Sequence, residues 1–132
     1  MCLASIAVMD IRQPDIVDFS RAVPERSVSV PEADRLLTGK PEQVANNFFT
    51  DSTGQFFAGR WDSTPGRWKV RYTENEFCHI TRGRVRIESA HGTRHEFKAG
   101  DSFVVPAGFE GVWEVVEATS KLYAIFARLD PA

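Results

Sequence analysis

The chain has 132 residues, 42% hydrophobic and 26% charged, with a net charge of −2. That length suits one domain with a self-sufficient core. The near-balanced charge argues against a nucleic-acid or polybasic membrane-surface protein, and no run approaches the ~20 apolar residues of a membrane helix.

The start, Cys2 to Met9, is apolar but short, without a basic leading region or a clear cleavage site, so it does not read as a signal peptide. Pro14, Pro24, Pro31 and Pro41 then punctuate the chain and leave only short segments between them. Pro31–Leu37 carries a proline early and acids behind it, a pattern for one or two helical turns that Gly39 would stop. Residues 1–47 are therefore expected to form an extended arm with a short helical turn, wrapping the domain or a neighbouring subunit. Residues 48–132 are expected to form a single β-barrel domain.

From Asn47 onward, short strand signals alternate with turns. Eight strands are predicted: Gln55–Trp61, Arg67–Thr73, Glu76–Arg82, Arg84–Ser89, Arg94–Phe97, Phe103–Val105, Val112–Glu117 and Lys121–Ala127. Turn residues separate them, among them Asp51-Ser52-Thr53-Gly54, His91-Gly92 and Pro106-Ala107-Gly108. Evenly spaced short strands imply an all-β sandwich or barrel.

Period-two alternation assigns faces. Trp68, Val70 and Tyr72 share one face, and Glu76 shares its face with Cys78 and Ile80. Trp113 pairs with Val115, and Lys121 with Tyr123 and Ile125. Cys2 and Cys78 suit a reducing compartment; Cys78, inside a strand, reads as a small apolar group. The expected location is the cytoplasm.

Two stretches carry a family resemblance. Glu76 lies seven residues before Gly83, and Gly100, Pro106 and Gly108 punctuate the run from Ala99 to Val115, followed by Lys121-Leu122-Tyr123. These resemble the two signature motifs of the cupin superfamily: Gly, His-x-His, Glu, Gly, then Gly, Pro-x-Gly, His, Asn. The branch they look like comprises uncharacterised cupins similar to the cupin domains of (S)-ureidoglycine aminohydrolase and of the ethanolamine-utilisation cupin. The resemblance covers about residues 54–127 and implies a jelly-roll-like cupin barrel. Such barrels commonly associate, so a homodimer is expected, with the arm as a swapped strand or wrap.

The same motifs imply a metal site that this chain does not supply. The second-motif histidine position holds Gly111 and the asparagine position Val115; counts for His-x-His fall on Val70 and Tyr72, Lys69 and Arg71, or Tyr72 and Glu74. Only Glu76 remains of four expected ligands, too few for tight binding. His79 lies on the face opposite Glu76, His91 at a hairpin tip, and His95 near the rim or outer face. No metal or other cofactor is expected.

Glu76, Tyr72, Trp113, Lys121 and Tyr123 are expected to face one interior, with Cys78 beside Glu76. A barrel of this size holds one small ligand. Glu76 and Lys121 are the candidate catalytic pair: the carboxylate as acid or base, the ammonium as its partner or as the grip on an anionic substrate. Tyr72, Trp113, Tyr123 and Cys78 are the candidate substrate-binding residues. The bland reading is a buried ion pair amid aromatic core filler. Cys78 shares its face with no histidine, so a nucleophilic role is disfavoured. Arg82, Arg84 and Arg86 read as a solvated strand face, or as an edge kept from aggregating by charge, and no nucleic-acid or membrane partner is expected.

The resemblance implies a small polar, nitrogen-containing metabolite as ligand, with hydrolysis or isomerisation as the reaction if there is one. A non-catalytic ligand-sensing or assembly module is the alternative. A sugar-nucleotide epimerase of similar fold would need an interior histidine base, which is not evident.

Overall fold

In a computed structural model, which describes residues 13–129, the described residues form nine strands and no helix. They are β1 (Glu25–Ser29), β2 (Leu36–Gly39), β3 (Gln43–Thr50), β4 (Phe56–Ser63), β5 (Gly66–Arg71), β6 (Asn75–Ser89), β7 (Arg94–Lys98), β8 (Ser102–Val105) and β9 (Glu110–Phe126). All pairs are antiparallel and join into one sheet curled upon itself. This is the all-β architecture expected from the strand spacing, curled as the cupin resemblance implies. Cys2 and the apolar start lie outside the described residues.

Two long strands make the curl. The first half of β6 pairs with β8 and with the second half of β9, while its second half pairs with β7 and the first half of β9. One layer therefore runs β1-β3-β4-β9-β6-β8 and the other β2-β5-β9-β6-β7, with β6 and β9 crossing between them. The sequence reading split each of these strands in two. Gly83, which separates the predicted strands Glu76–Arg82 and Arg84–Ser89, bends β6 without ending it: its φ is +88°, the pairing register shifts around it, and a Cβ there would collide with the Ala118 carbonyl oxygen. Ser120, between the predicted strands Val112–Glu117 and Lys121–Ala127, lies buried within β9 and donates to the Asp62 carboxylate.

Three strands lie wholly or largely in the region read as an arm. β1 is exposed along its length and pairs with β3 of the same chain. Pro31–Leu37 makes one turn, with the Arg35 and Leu36 N–H groups donating to the Glu32 carbonyl, and then leaves as β2. The expected boundary at 47/48 falls inside β3. Prolines had masked these strands; each sits outside the paired residues, where its missing N–H costs nothing.

Alternation sorts each long strand into an inner and an outer face. Ile80, Val85, Ile87, Val105, Trp68, Trp113 and Val115 form the buried cluster between the layers. On the outside of the second layer Arg84, Arg86 and Arg94 pair with Glu117, Glu114, Glu96 and Glu88 at 3.1–3.7 Å, the solvated charged face expected of the arginine row. Among the described residues no helix is long and apolar enough to cross a membrane.

Candidate functional site

The inward faces of β4, β5, β6 and β9 converge on a cavity of about 270 Å³. β6 contributes Glu76, β5 and the residue after it Trp68 and Tyr72, β4 Trp61, and β9 Trp113, Lys121 and Tyr123. Gln43, Ala45, Val70 and Ile125 complete the wall. Five of the six candidate residues thus line one cavity. The sixth, Cys78, lies behind it, fully buried, with Sγ 3.6 Å from the Lys121 ammonium.

A buried ion pair dominates the site. Lys121 Nζ lies 2.9 Å from Glu76 Oε2, and the two residues are only 4% and 6% exposed. The same ammonium sits over two indoles, 4.4 Å from the Trp113 ring centroid and 4.6 Å from that of Trp61. Its charge is therefore met by a carboxylate, a thiol and two π-faces, as a desolvated cation requires. Trp61 and Trp68 in turn pack against Trp113, at centroid distances of 5.9 and 6.4 Å, making a box of three indoles.

These surroundings decide which groups keep their protons. Burial alone would lower the Lys121 pKa, but the Glu76 charge and then Cys78 outweigh it, and the net shift is upward. Burial pushes the Cys78 thiol up to about 12, with Lys121 opposing and Glu76 adding to the rise. Burial and then the Glu76 charge hold Tyr72 well above its usual value and raise Tyr123 to about 12. Near neutrality Lys121, Cys78, Tyr72 and Tyr123 are hydrogen donors, and none is a ready nucleophile. Tyr123 already spends its donor on Asn47 Oδ1, 2.9 Å away. The Trp113 indole N–H is buried with no partner among the described residues.

A cupin metal does not fit these side chains. A cation beside Glu76 would meet the Lys121 ammonium already there. At the second-motif histidine position, a Cβ on Gly111 would collide with the Glu88 carbonyl oxygen and press on the Phe109 ring. Among the described residues, no three of His, Cys, Asp and Glu converge as ligands would. His79 turns away and shares a hydrogen bond with Ser102 Oγ at 2.7 Å. His95, on β7, stacks on Phe97 at the edge of a second, mostly apolar cavity of about 240 Å³.

Trp61, Trp68, Gln43 and Asn47 were not among the candidates. The signal for Trp61 is its alternation with Phe57 and Gly59 in the predicted strand Gln55–Trp61. Gln43 and Asn47 lie in the proline-punctuated stretch expected to be an arm, where β3 carries no clear alternation of its own.

The EutQ-like cupin domain family matches residues 50–123. A protein of unknown function of the DUF861 family from Pseudomonas syringae pv. tomato is similar in structure, with a TM-score of 0.71 and 26% identity; the match covers 80% of this chain and 45% of that one. This chain thus spans less than half the length of that relative. The Clostridium difficile EutQ protein aligns with a TM-score of 0.61 and 17% identity, over 81% of this chain and 97% of that one. A putative ethanolamine utilization protein Q from Salmonella typhimurium LT2 gives 0.59 and 14%, over 80% and 98%. No curated protein matches the chain.

Proposed function

Because the chain belongs to the EutQ-like cupin domain family, we propose that it is a small-molecule-binding cupin whose ligand is a small, polar, nitrogen-containing metabolite bearing an anionic or carbonyl group. One observation carries this reading: a buried, paired ammonium and carboxylate facing a walled cavity of about 270 Å³. Cavities that bind metabolites join mostly apolar walls to a few convergent polar groups. At about 30 Å³ per water, this one has room for roughly nine waters or a metabolite of similar bulk. Lys121 and Tyr72 offer donors to ligand oxygens, and Trp113 with Trp61 forms the flat wall.

If the ligand reacts, ureidoglycine aminohydrolase-like hydrolysis or an isomerisation fits the pair best. Glu76 would take a proton from water or from the substrate, and Lys121 would hold the developing negative charge. Recognition without turnover is the second reading. It is favoured by the raised pKa values of Cys78, Tyr72 and Lys121, which leave Glu76 alone to accept a proton. The buried free thiol of Cys78 suits the reducing cytoplasm.

A thermal-shift screen of small ureido, amide and amino-acid carboxylates, with product analysis of each hit, separates the readings. A ligand at a hundred times its Kd should stabilise the fold by about 2.7 kcal/mol. For an enzyme, Glu76→Gln should lower turnover by roughly 10²–10⁴-fold while the ligand still binds. For a sensor, the hit is recovered unchanged. The cavity reading is lost if Tyr72→Phe and Trp113→Ala leave every hit's affinity intact.

A further inference from the structure

The cavity has no unmatched positive charge among its lining residues. Its one cation, Lys121, is met by Glu76 at 2.9 Å. The indoles of Trp61, Trp68 and Trp113 present π-faces, which attract cations and repel anions. Just outside, the balance reverses. A groove of about 320 Å³ continues from the cavity, with Trp68, Val70, Tyr72 and Glu76 lining both. Its outer part is lined by Arg35, Lys69 and Arg71, all exposed. The edge of β5 puts them there. β2 pairs with β5 only as far as Trp68, and the Lys69 N–H then donates to the Arg35 carbonyl. Beyond that point no described strand pairs with β5 on this side, so the edge becomes the lip of the cavity. Alternation turns Val70 and Tyr72 inward, and Lys69 and Arg71 outward. On the same layer Arg84, Arg86 and Arg94 each meet a glutamate, but Arg35, Lys69 and Arg71 form no ion pair among the described residues. Of the acids in the groove, Glu76 is held by Lys121, and Glu74 accepts from the Thr73 hydroxyl. Glu110 stands opposite Arg71 in the β5–β9 register without forming an ion pair.

Given the small-molecule-binding reading, on which this rests, we propose that Arg35, Lys69 and Arg71 form an anion subsite at the cavity mouth. The ligand then enters neutral end first and leaves a carboxylate or phosphate group outside. In the reverse orientation its anion would lie beside the Glu76 carboxylate and against indole faces. Guanidinium forks match the paired oxygens of a carboxylate or phosphate, and the lysine adds a mobile point charge. The chain as a whole carries a net charge of −2, so an anion is drawn only by this local excess. Cations of one sign at the mouth of a low-dielectric cleft focus the field and raise the rate of capture. Inside, the neutral end meets groups suited to it: Lys121 and Tyr72 donate to a carbonyl oxygen, and the indoles stack on a flat amide or ureido group. The ligand class is therefore a small acid with a neutral, carbonyl-bearing far end.

Titration calorimetry of the full chain with ureidoacetate, succinamate and N-acetylglycinate, each against its neutral primary amide, tests the proposal. The acids should bind roughly tenfold more tightly than the amides, as two or three exposed charge contacts allow. That gap should close as salt rises towards about 1 M, where the screening length falls to about 3 Å. In the triple variant Arg35→Gln, Lys69→Gln, Arg71→Gln, the acids should fall to the affinity of the amides. The amides should bind as they do to the wild type. Ureidomethylphosphonate decides the head group: binding tighter than ureidoacetate assigns the subsite to a phosphate, weaker binding to a carboxylate. An acid preference that survives in the triple variant overturns the proposal, because it places the anion inside the cavity. A preference in the wild type that salt leaves unchanged does the same and needs no variant to fold. Equal affinity for acids and amides overturns the mouth subsite and leaves the cavity reading standing. Failure of every acid and every amide to bind at millimolar concentration overturns the cavity reading, and the subsite with it.

Discussion

Lys121→Met is expected to destabilise the fold by about 3–5 kcal/mol, because it leaves the Glu76 carboxylate buried without its cation. Glu76 is 6% exposed, and its partner ammonium lies 2.9 Å away. Water in the cavity can offer the carboxylate hydrogen bonds but not the opposite charge it loses. Against a typical total of about 5–15 kcal/mol, the loss is a large fraction of the stability. Urea unfolding at neutral pH measures it directly. Changing both partners, in Glu76→Met with Lys121→Met, should recover most of the loss, since a well-packed apolar pair often equals or exceeds a buried ion pair. The single changes must therefore be strongly non-additive. Additive losses under about 1 kcal/mol each would mean the pair is screened like one on the surface, and the site would lose its electrostatic argument.

The second large effect is a steep loss of stability in alkali. Cys78 has an ordinary pKa of 9.0 and is pushed up to about 12 in the fold. Tyr72 is held well above 10.0, and Lys121 above 10.5. For the thiol and the phenol, burial penalises the anion; for Lys121, burial works the other way and Glu76 outweighs it. All three hold their protons to higher pH in the fold than in the unfolded chain. Once the pH passes each unfolded value the native state binds more protons than the unfolded one, so stability falls as pH rises. The Lys121 contribution is fully present below 10.5 and is lost as pH climbs through its raised folded value. Each group adds a slope of up to about 1.4 kcal/mol per pH unit. Cys78→Ala should remove one such slope between roughly pH 9 and 11, though it leaves a small cavity. Chemical denaturation of both proteins across that range is the measurement. Parallel curves would show that Cys78 ionises equally in the folded and unfolded chain.

Much of the site was legible because β-strands alternate. In β5, β6 and β9 a two-residue period fits only one inward set, so Tyr72, Glu76, Trp113, Lys121 and Tyr123 could be grouped before any contact was known. Turn residues at Gly92, Gly100 and Gly108, each with positive φ in the fold, marked where strands end. Gly83 carries the same backbone signature and ends nothing, because β9 stays paired with β6 on both sides of it. A local signal cannot distinguish a bend from a turn when the difference lies in a partner strand. β1, β2 and β3 were missed for a related reason: the prolines between them read as breaks, while the pairing that makes them strands comes from β3, β5 and β4.

The sequence by itself determined the all-β class, the inward face of each long strand, and the absence of histidines from the positions where cupin motifs place metal ligands. These are local properties, set by side-chain type and a two-residue period. Only the tertiary structure decided that Lys121 reaches Glu76, 45 residues earlier in the chain, while Trp61 and Trp113 cover the same ammonium. Register decides that. β6 and β9 pair Ile80 with Lys121 and Cys78 with Tyr123, and the lysine stem then carries its charge along the strand to Glu76. Register depends on the bulges around Gly83 and on every neighbouring strand at once, so no single strand's pattern contains it.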